Sequence, residues 1–150
     1  PEGVRHELEP VRDLGPLGGL SHALGSRRSE VVLVLAGDHP LLSAALLRLL
    51  VDRAVATPDA DAVVPVGPDG PEPLVACYRR SIRSVVRRRL EGDRRSVRGL
   101  LDELSVEWIE PDEWSLVDPE GTSFLDVDTP DDLTRLERTA IERERRGPQG

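Results

Sequence analysis

Three aspartates stand where a carboxylate could meet a cation and phosphate oxygens. Asp38 closes the apolar run VVLVLAG (31–37) and is followed by His39-Pro40. A short β-branched run of this kind reads as a buried strand, and open α/β sheets bind ligands and metals at the carboxyl ends of their strands. Gly-Asp-x-Pro is also a good turn sequence, so capping the next turn is the competing role for Asp38. Asp126 and Asp128 lie two residues apart in SFLDVD (123–128), and residues so spaced on a strand share one face. Two close acids raise each other's pKa unless a cation lies between them, which makes a divalent metal site the chemical reading of the pair. The alternative is that one of them caps the loop before Thr129.

Two further features bear on anion binding. Gly15-Pro16-Leu17-Gly18-Gly19 is a loop-to-helix entry with little side-chain bulk, so backbone can approach a ligand and the helix amino terminus favours negative charge. A tight turn into a packed helix needs the same residues, and the segment is not a GxGxxG fingerprint. Between Arg79 and Arg98 stand nine arginines against Glu91 and Asp93 alone. They read either as a solvated helix face or as a basic surface for a phosphorylated substrate or an acidic partner. Nucleophilic chemistry finds no support: there is no GxSxG, and His6, His22 and His39 lack metal-ligand spacing. Trp108, Trp114 and Tyr78 are too scattered for a base-stacking platform.

The elements that must position these residues follow from periodicity and breakers. A short helix begins at Gly15 with Gly25 as its cap, a strand covers 31–36, and a helix covers 43–57 with Leu46, Leu47, Leu50, Val51 and Ala54 on one face. Asp61–Val66 is a second buried strand, and Leu74–Tyr78 a third, hairpinned to it through a Gly/Pro-rich turn. Helices follow at 80–90, ended by Gly92, and at Val97–Leu104; Val106–Ile109 is a strand, 110–121 a loop, and 123–128 the last strand. Thr129 is then an N-cap, Pro130 the first helical residue, and Asp131 and Asp132 complement the dipole of a helix running to Arg145. Residues 1–14 hold a weak strand at best. Strands alternating with helices predict a three-layer α/β domain with a mostly parallel sheet over residues 1–146, and 147–150 read as a disordered tail.

Composition narrows the classes. A net charge of −8 opposes affinity for nucleic acid. No apolar stretch approaches the length of a membrane span, roughly 20 residues. The single Cys77 excludes a disulfide scaffold and fits a reducing cytoplasm. All twenty basic residues are arginine, so no lysine of this chain can serve as a phosphate-binding ammonium. The chain begins at Pro1 and has no methionine, which suggests a piece of a longer protein lacking its amino-terminal part.

Read in order, GPLGGL (15–20), VVLVLAGDHPLL (31–42), EPLVACYRRS (72–81), EGDRRSVRGLL (91–101) and FLDVDTPDDL (124–133) resemble the later two-thirds of a molybdenum cofactor guanylyltransferase, a member of the nucleotidyltransferase superfamily. The resemblance implies a nucleotide-diphospho-sugar-transferase-like fold and transfer of GMP from GTP to molybdopterin-type cofactor, with Mg²⁺ assistance and release of pyrophosphate. It implies Asp38 as the magnesium-binding acid beside the nucleotide phosphates, with Asp126 and Asp128 as further catalytic and metal ligands where the family usually has N-x-N-T-P. Aspartates there are common in sibling enzymes, which keeps a cofactor cytidylyltransferase or a phospholactate guanylyltransferase as alternatives. Gly15, Pro16, Leu17 and Gly18 match the nucleotide-side segment, with Glu9 or Asp13 as its upstream acid. Arg94, Arg95 and Arg98 match a segment on the cofactor side of the cleft. The family's glycine-rich loop and its lysine have no counterpart here, so the resemblance implies that this stretch alone is inactive. A non-catalytic remnant that binds the cofactor or a molybdoenzyme partner is the alternative from another class.

Overall fold

The computed structural model describes residues 14–26, 28–37 and 39–125 and, beyond them, residues 129, 131, 132, 134, 137, 138, 141, 142 and 145, all of these but 129 helical. The chain runs α1 (Gly15–Ser26), β1 (Val31–Leu35), α2 (Ala44–Ala56), β2 (Ala62–Gly67), β3 (Gly70–Pro71), β4 (Val75–Arg79), α3 (Arg83–Glu91), α4 (Val97–Leu101), β5 (Val106–Ile109) and α5 (Pro111–Trp114). Single 3₁₀ turns occupy Arg80–Ile82 and Thr122–Phe124.

The helices start where the sequence offers caps. Ser43 accepts the Leu46 N–H at α2, and Ser96 accepts the Gly99 N–H at α4. At the carboxyl end of α2, Arg79 reaches over from β4 and donates to the carbonyls of Ala54, Thr57 and Ala60. That places a cation on the negative end of the helix dipole. The first arginine of the run is therefore a structural cap and not part of a solvated face.

The sheet is mixed in pairing and mostly parallel in direction. β4 lies antiparallel between β1 and β2, and β5 pairs parallel with β2, so β1, β2 and β5 all point the same way. Helices cover both faces, which gives the expected three layers. Leu17, Leu20, Leu24, Val86 and Leu100 pack against Ala62, Val64, Ala76 and Tyr78 on one side. Leu46, Leu50, Trp114 and Phe124 pack against Val63, Val75 and Cys77 on the other. Alternate residues of β2 and β4 thus feed two cores, which is why these strands read as unbroken apolar runs. Each fully buried leucine contributes roughly 1.5–3 kcal/mol to that burial. Burial also pushes the Cys77 thiol up to about 12, so it stays protonated and inert at neutral pH.

Four local expectations change. Gly25 lies inside α1 and does not cap it, and an added Cβ there would make only ordinary contact, 3.7 Å from the Arg83 guanidinium. The α4 helix ends at Leu101 instead of Leu104. Residues 110–121 contain α5, opened by a reciprocal capping box between Glu110 and Glu113 with Pro111 as its first residue. Ser123 and Phe124 belong to a 3₁₀ turn, not a strand, because the Asp118 carboxylate draws in the backbone N–H groups of Thr122 and Ser123. The weak strand before residue 14 and the tail after 146 lie outside the described residues.

Candidate functional site at the carboxyl edge of the sheet

Because β1, β2 and β5 share a direction, their carboxyl ends meet at one edge, together with the start of β4. The Ala36 N–H just past β1 donates to Leu74 O at 2.7 Å, and the Glu72 N–H donates to Pro65 O at 3.0 Å. Gly67 ends β2 in a crowded place: a Cβ there would stand 3.0 Å from Glu72 Cγ and 3.2 Å from Phe124 Cδ1. Any larger residue at this point would push on the side chains of Glu72 and Phe124, where β2, the Glu-Pro-Leu segment and the Phe-Leu-Asp segment converge. Trp114 closes the edge from below, its indole Nε1–H donating to Val66 O at 2.8 Å. Its ring lies edge-on to Phe124 with centroids 4.8 Å apart, an arrangement that aromatic quadrupoles favour.

A buried polar chain ties the segments that flank the aspartates. Asp118, 2% exposed, accepts from the Ser123 N–H at 2.9 Å, the Thr122 hydroxyl at 3.1 Å and the Thr122 N–H at 3.3 Å. Gly121 makes the turn possible at φ +60°, with the Trp114 ring 3.4 Å from where its Cβ would lie; that backbone conformation favours glycine. The turn in turn holds Ser123, whose fully buried Oγ accepts the Ser43 N–H at 2.8 Å. Ser43 follows the Asp38 loop and Ser123 precedes Asp126, so one hydrogen bond joins the two approaches. Beyond them, Thr129 and Asp132 form a reciprocal cap. The Asp132 N–H donates to Thr129 Oγ1 at 3.2 Å, and the Thr129 N–H donates to Asp132 Oδ2 at 2.9 Å. This is the helix start read from the sequence.

Asp38, Asp126, Asp128, Glu9 and Asp13 themselves lie outside the described residues. Their described neighbours include Gly37, buried His39 and Leu125. In the glycine-rich entry, Gly15 and Pro16 are exposed, whereas Leu17 and Gly18 are buried and Leu17 belongs to the core. Gly15 takes φ +62°, again in the region that favours glycine. Among the described residues no group of three or more His, Cys, Asp or Glu is placed to hold a metal.

The arginine run is largely engaged within the protein. Glu103 accepts from Arg88, Arg89 and Arg94, and the Arg89 guanidinium beside it holds its carboxyl below the usual range. Arg95 pairs with Asp93 at 2.9 Å, and Arg98 donates to Pro71 O at 3.2 Å. On the opposite face, Arg53 joins Glu107 at 2.7 Å and Glu113, fastening α2 to β5 and α5; Arg53 holds the Glu113 carboxyl low. Sequence reasoning missed Asp118, Ser123 and Gly67. For Asp118 the available signal is Asp-Pro-Glu-Gly, a turn sequence ending in the glycine that adopts the left-handed conformation.

This arrangement has counterparts among known proteins. The chain is 33% identical over 136 residues to the probable molybdenum cofactor guanylyltransferase of Bacillus licheniformis, covering 91% of this chain and 67% of that one. It is 35% identical over 131 residues to the protein of the same name in Methanothermobacter thermautotrophicus, covering 87% of this chain and 65% of the relative. The chain thus spans about two-thirds of the length of these relatives. The crystal structure of molybdopterin-guanine dinucleotide biosynthesis protein A from Archaeoglobus fulgidus superposes with a TM-score of 0.75 at 29% identity, covering 86% of this chain and 64% of that one. Residues 1–108, which include α1, all five strands but the last residue of β5, and the Asp38 loop, match the MobA-like NTP transferase domain. By sequence, by the sheet that carries its motifs and by this match, the chain belongs to the MobA-like NTP transferase family.

Proposed function

We propose that this chain is the later portion of a nucleotidyltransferase that moves GMP from GTP to a molybdopterin-type cofactor in the cytoplasm, with residues 1–146 as one domain. The observation that carries the reading is the Ser43 to Ser123 hydrogen bond, which joins the approach to Asp126 to the exit from Asp38 at the carboxyl edge of the sheet. Relatives called molybdenum cofactor guanylyltransferase support the substrate pair.

In this reading a terminal phosphate oxygen of the acceptor attacks the α-phosphorus of GTP. A new P–O bond forms, the bond to the α,β-bridging oxygen breaks, and pyrophosphate leaves with its electron pair. Asp38 and one of Asp126 and Asp128 supply hard carboxylate oxygens of the kind magnesium takes. Bound there, the metal supplies neutralisation of charge on the phosphates. The exposed amino end of α1 at Gly15 and Pro16, with Glu9 or Asp13 upstream, faces the nucleotide, and Arg94, Arg95 and Arg98 exchange their partners Glu103, Asp93 and Pro71 O for the phosphate of the acceptor. No protein nucleophile is needed, because positioning and charge neutralisation suffice for phosphoryl-type transfer.

Replacing Asp38 by Ala in the longest chain that contains it is expected to lower GMP transfer by at least on the order of 10²-fold with an unchanged circular dichroism spectrum. Near-normal turnover would reject Asp38 as the anchor. The Gly15–Gly19 and Glu72-Pro73-Leu74 blocks favour the guanylyl reading, the Asp126-Val127-Asp128 variant of the family's N-x-N slightly favours a sibling specificity, and comparing GTP with CTP as substrate decides between them.

A further inference from the structure

The two tryptophans have opposite surroundings. Trp114 is 8% exposed with its N–H bonded, whereas Trp108 on β5 is 36% exposed. Trp108 lines a cavity of about 260 Å³ together with Pro71, Arg98, Gly99, Leu101 and Asp102. Register fixes where the cavity lies. Trp108 pairs with Val64 and Pro71 with Val66, so it opens at the carboxyl half of β2, beside the proposed site. From β1 to β5 the sheet order gives three interstrand steps, about 14 Å at ~4.8 Å each.

The lining is chemically specific. The indole offers a flat apolar face, and the Arg98 guanidinium is held to Pro71 O at 3.2 Å. Asp102 offers two acceptor oxygens with no ion pair among the described residues. One cation and one anion leave the cavity neutral, unlike the cleft lined by Ser81, Arg83, Ser84 and Arg87, which would favour an anion. Its volume falls below the roughly 300–1,000 Å³ of pockets for whole drug-sized ligands, which suits one fused ring system.

We propose that this cavity is a subsite for a planar heterocycle bearing a 2-amino-4-oxo-pyrimidine edge, stacked on Trp108 and read by Asp102. That edge presents a ring N–H beside an exocyclic NH₂, two parallel donors that a carboxylate accepts bidentately, as it does those of a guanidinium. Pterins and guanine share the edge; lumazine, which has a second oxo group in place of the 2-amino group, and adenine do not. The subsite deepens the reading of the protein as a nucleotidyltransferase, and it holds a heterocycle at a distance from the end of β1 where the phosphates would react.

Equilibrium dialysis of the full chain against pterin-6-carboxylate and lumazine-6-carboxylate tests it without requiring turnover. The wild type is expected to prefer the pterin by about tenfold. Asp102→Asn, at an exposed position, should bring the ratio close to one, Trp108→Ala should weaken both ligands by about tenfold, and Trp108→Phe should restore most of the loss. Displacement of the pterin by GMP but not AMP would assign the subsite to the base of the nucleotide; no displacement by either would assign it to the acceptor. Equal binding of pterin and lumazine, an unchanged ratio in Asp102→Asn, or no binding at all would overturn the proposal. A pterin preference without GMP transfer in the longest chain would leave the subsite standing and remove the transfer reading; transfer without the preference would do the reverse.

Discussion

Two polar clusters, one around Glu103 and one around Asp118, differ in how openly they announce themselves and in what they hold. Glu103 gathers Arg88, Arg89 and Arg94 at the surface end of α3, in the most charged stretch of the chain. Asp118 is a single acid in a loop, yet it is buried, binds three donors and fixes the turn whose Ser123 reaches Ser43. The first cluster uses its charge internally, since one carboxylate accepts three guanidinium groups. The second has little charge but leaves no slack, because each of its groups is buried and satisfied by another. In this molecule the conspicuous charge packs one helix end, and the quiet carboxylate positions the edge where the proposed chemistry occurs.

The comparison breaks most sharply at Asp118. Replacing it with Ala strands two backbone N–H groups and a hydroxyl in the interior, and the expected loss is about 2–4 kcal/mol of unfolding free energy, read by urea denaturation. Asp118→Asn keeps one acceptor oxygen and should cost roughly half as much by the same partition of donors. A loss under ~0.5 kcal/mol would mean that the turn does not depend on the carboxylate.

Gly67→Ala asks whether convergence matters apart from stability. Its Cβ would stand 3.0 Å from Glu72 Cγ and 3.2 Å from the Phe124 ring. Overpacking of this size costs on the order of 1 kcal/mol, while the displaced segments should lower GMP transfer at least tenfold. Stability and transfer falling in proportion would show that Gly67 is only a packing residue.

The smallest effect is expected at Glu103→Gln, where an amide oxygen still accepts from Arg89. Here the sign matters. A carboxyl held below its unfolded value of 4.5 contributes stability that is full above that value and lost as pH falls through the folded pKa. The wild-type denaturation midpoint should therefore fall on acidification below about 4.5, and the variant should lose part of that slope while changing little at pH 7. An acid limb identical in both proteins would show that Glu103 does not couple to folding; the Arg53-bound Glu113 carries the same sign.

Legibility tracks the range of the interactions involved. The Thr129 cap and the apolar runs of β1, β2, β4 and β5 depend on residues within a few positions, and local chemistry shows them. The 3₁₀ turn at Thr122–Phe124 reads as strand in sequence, because Ser-Phe-Leu has strand character and only the carboxylate of Asp118 overrides it. Arg79 is, in sequence, one more arginine of a charged run, and only β4 carries it to the end of α2. The roles of Asp38, Asp126 and Asp128 rest on the motif and on the neighbours that flank them.

By itself the sequence determined the three-layer α/β class, the positions of most elements and the family, because periodicity, caps and ordered motifs are written in contiguous residues. Only the tertiary structure decided that β4 lies between β1 and β2 and pairs with β1, that Glu103 occupies Arg88, Arg89 and Arg94, and that Ser43 meets Ser123 across 80 positions of chain. Those outcomes depend on which distant groups can satisfy one another once water is excluded, and no local pattern encodes that.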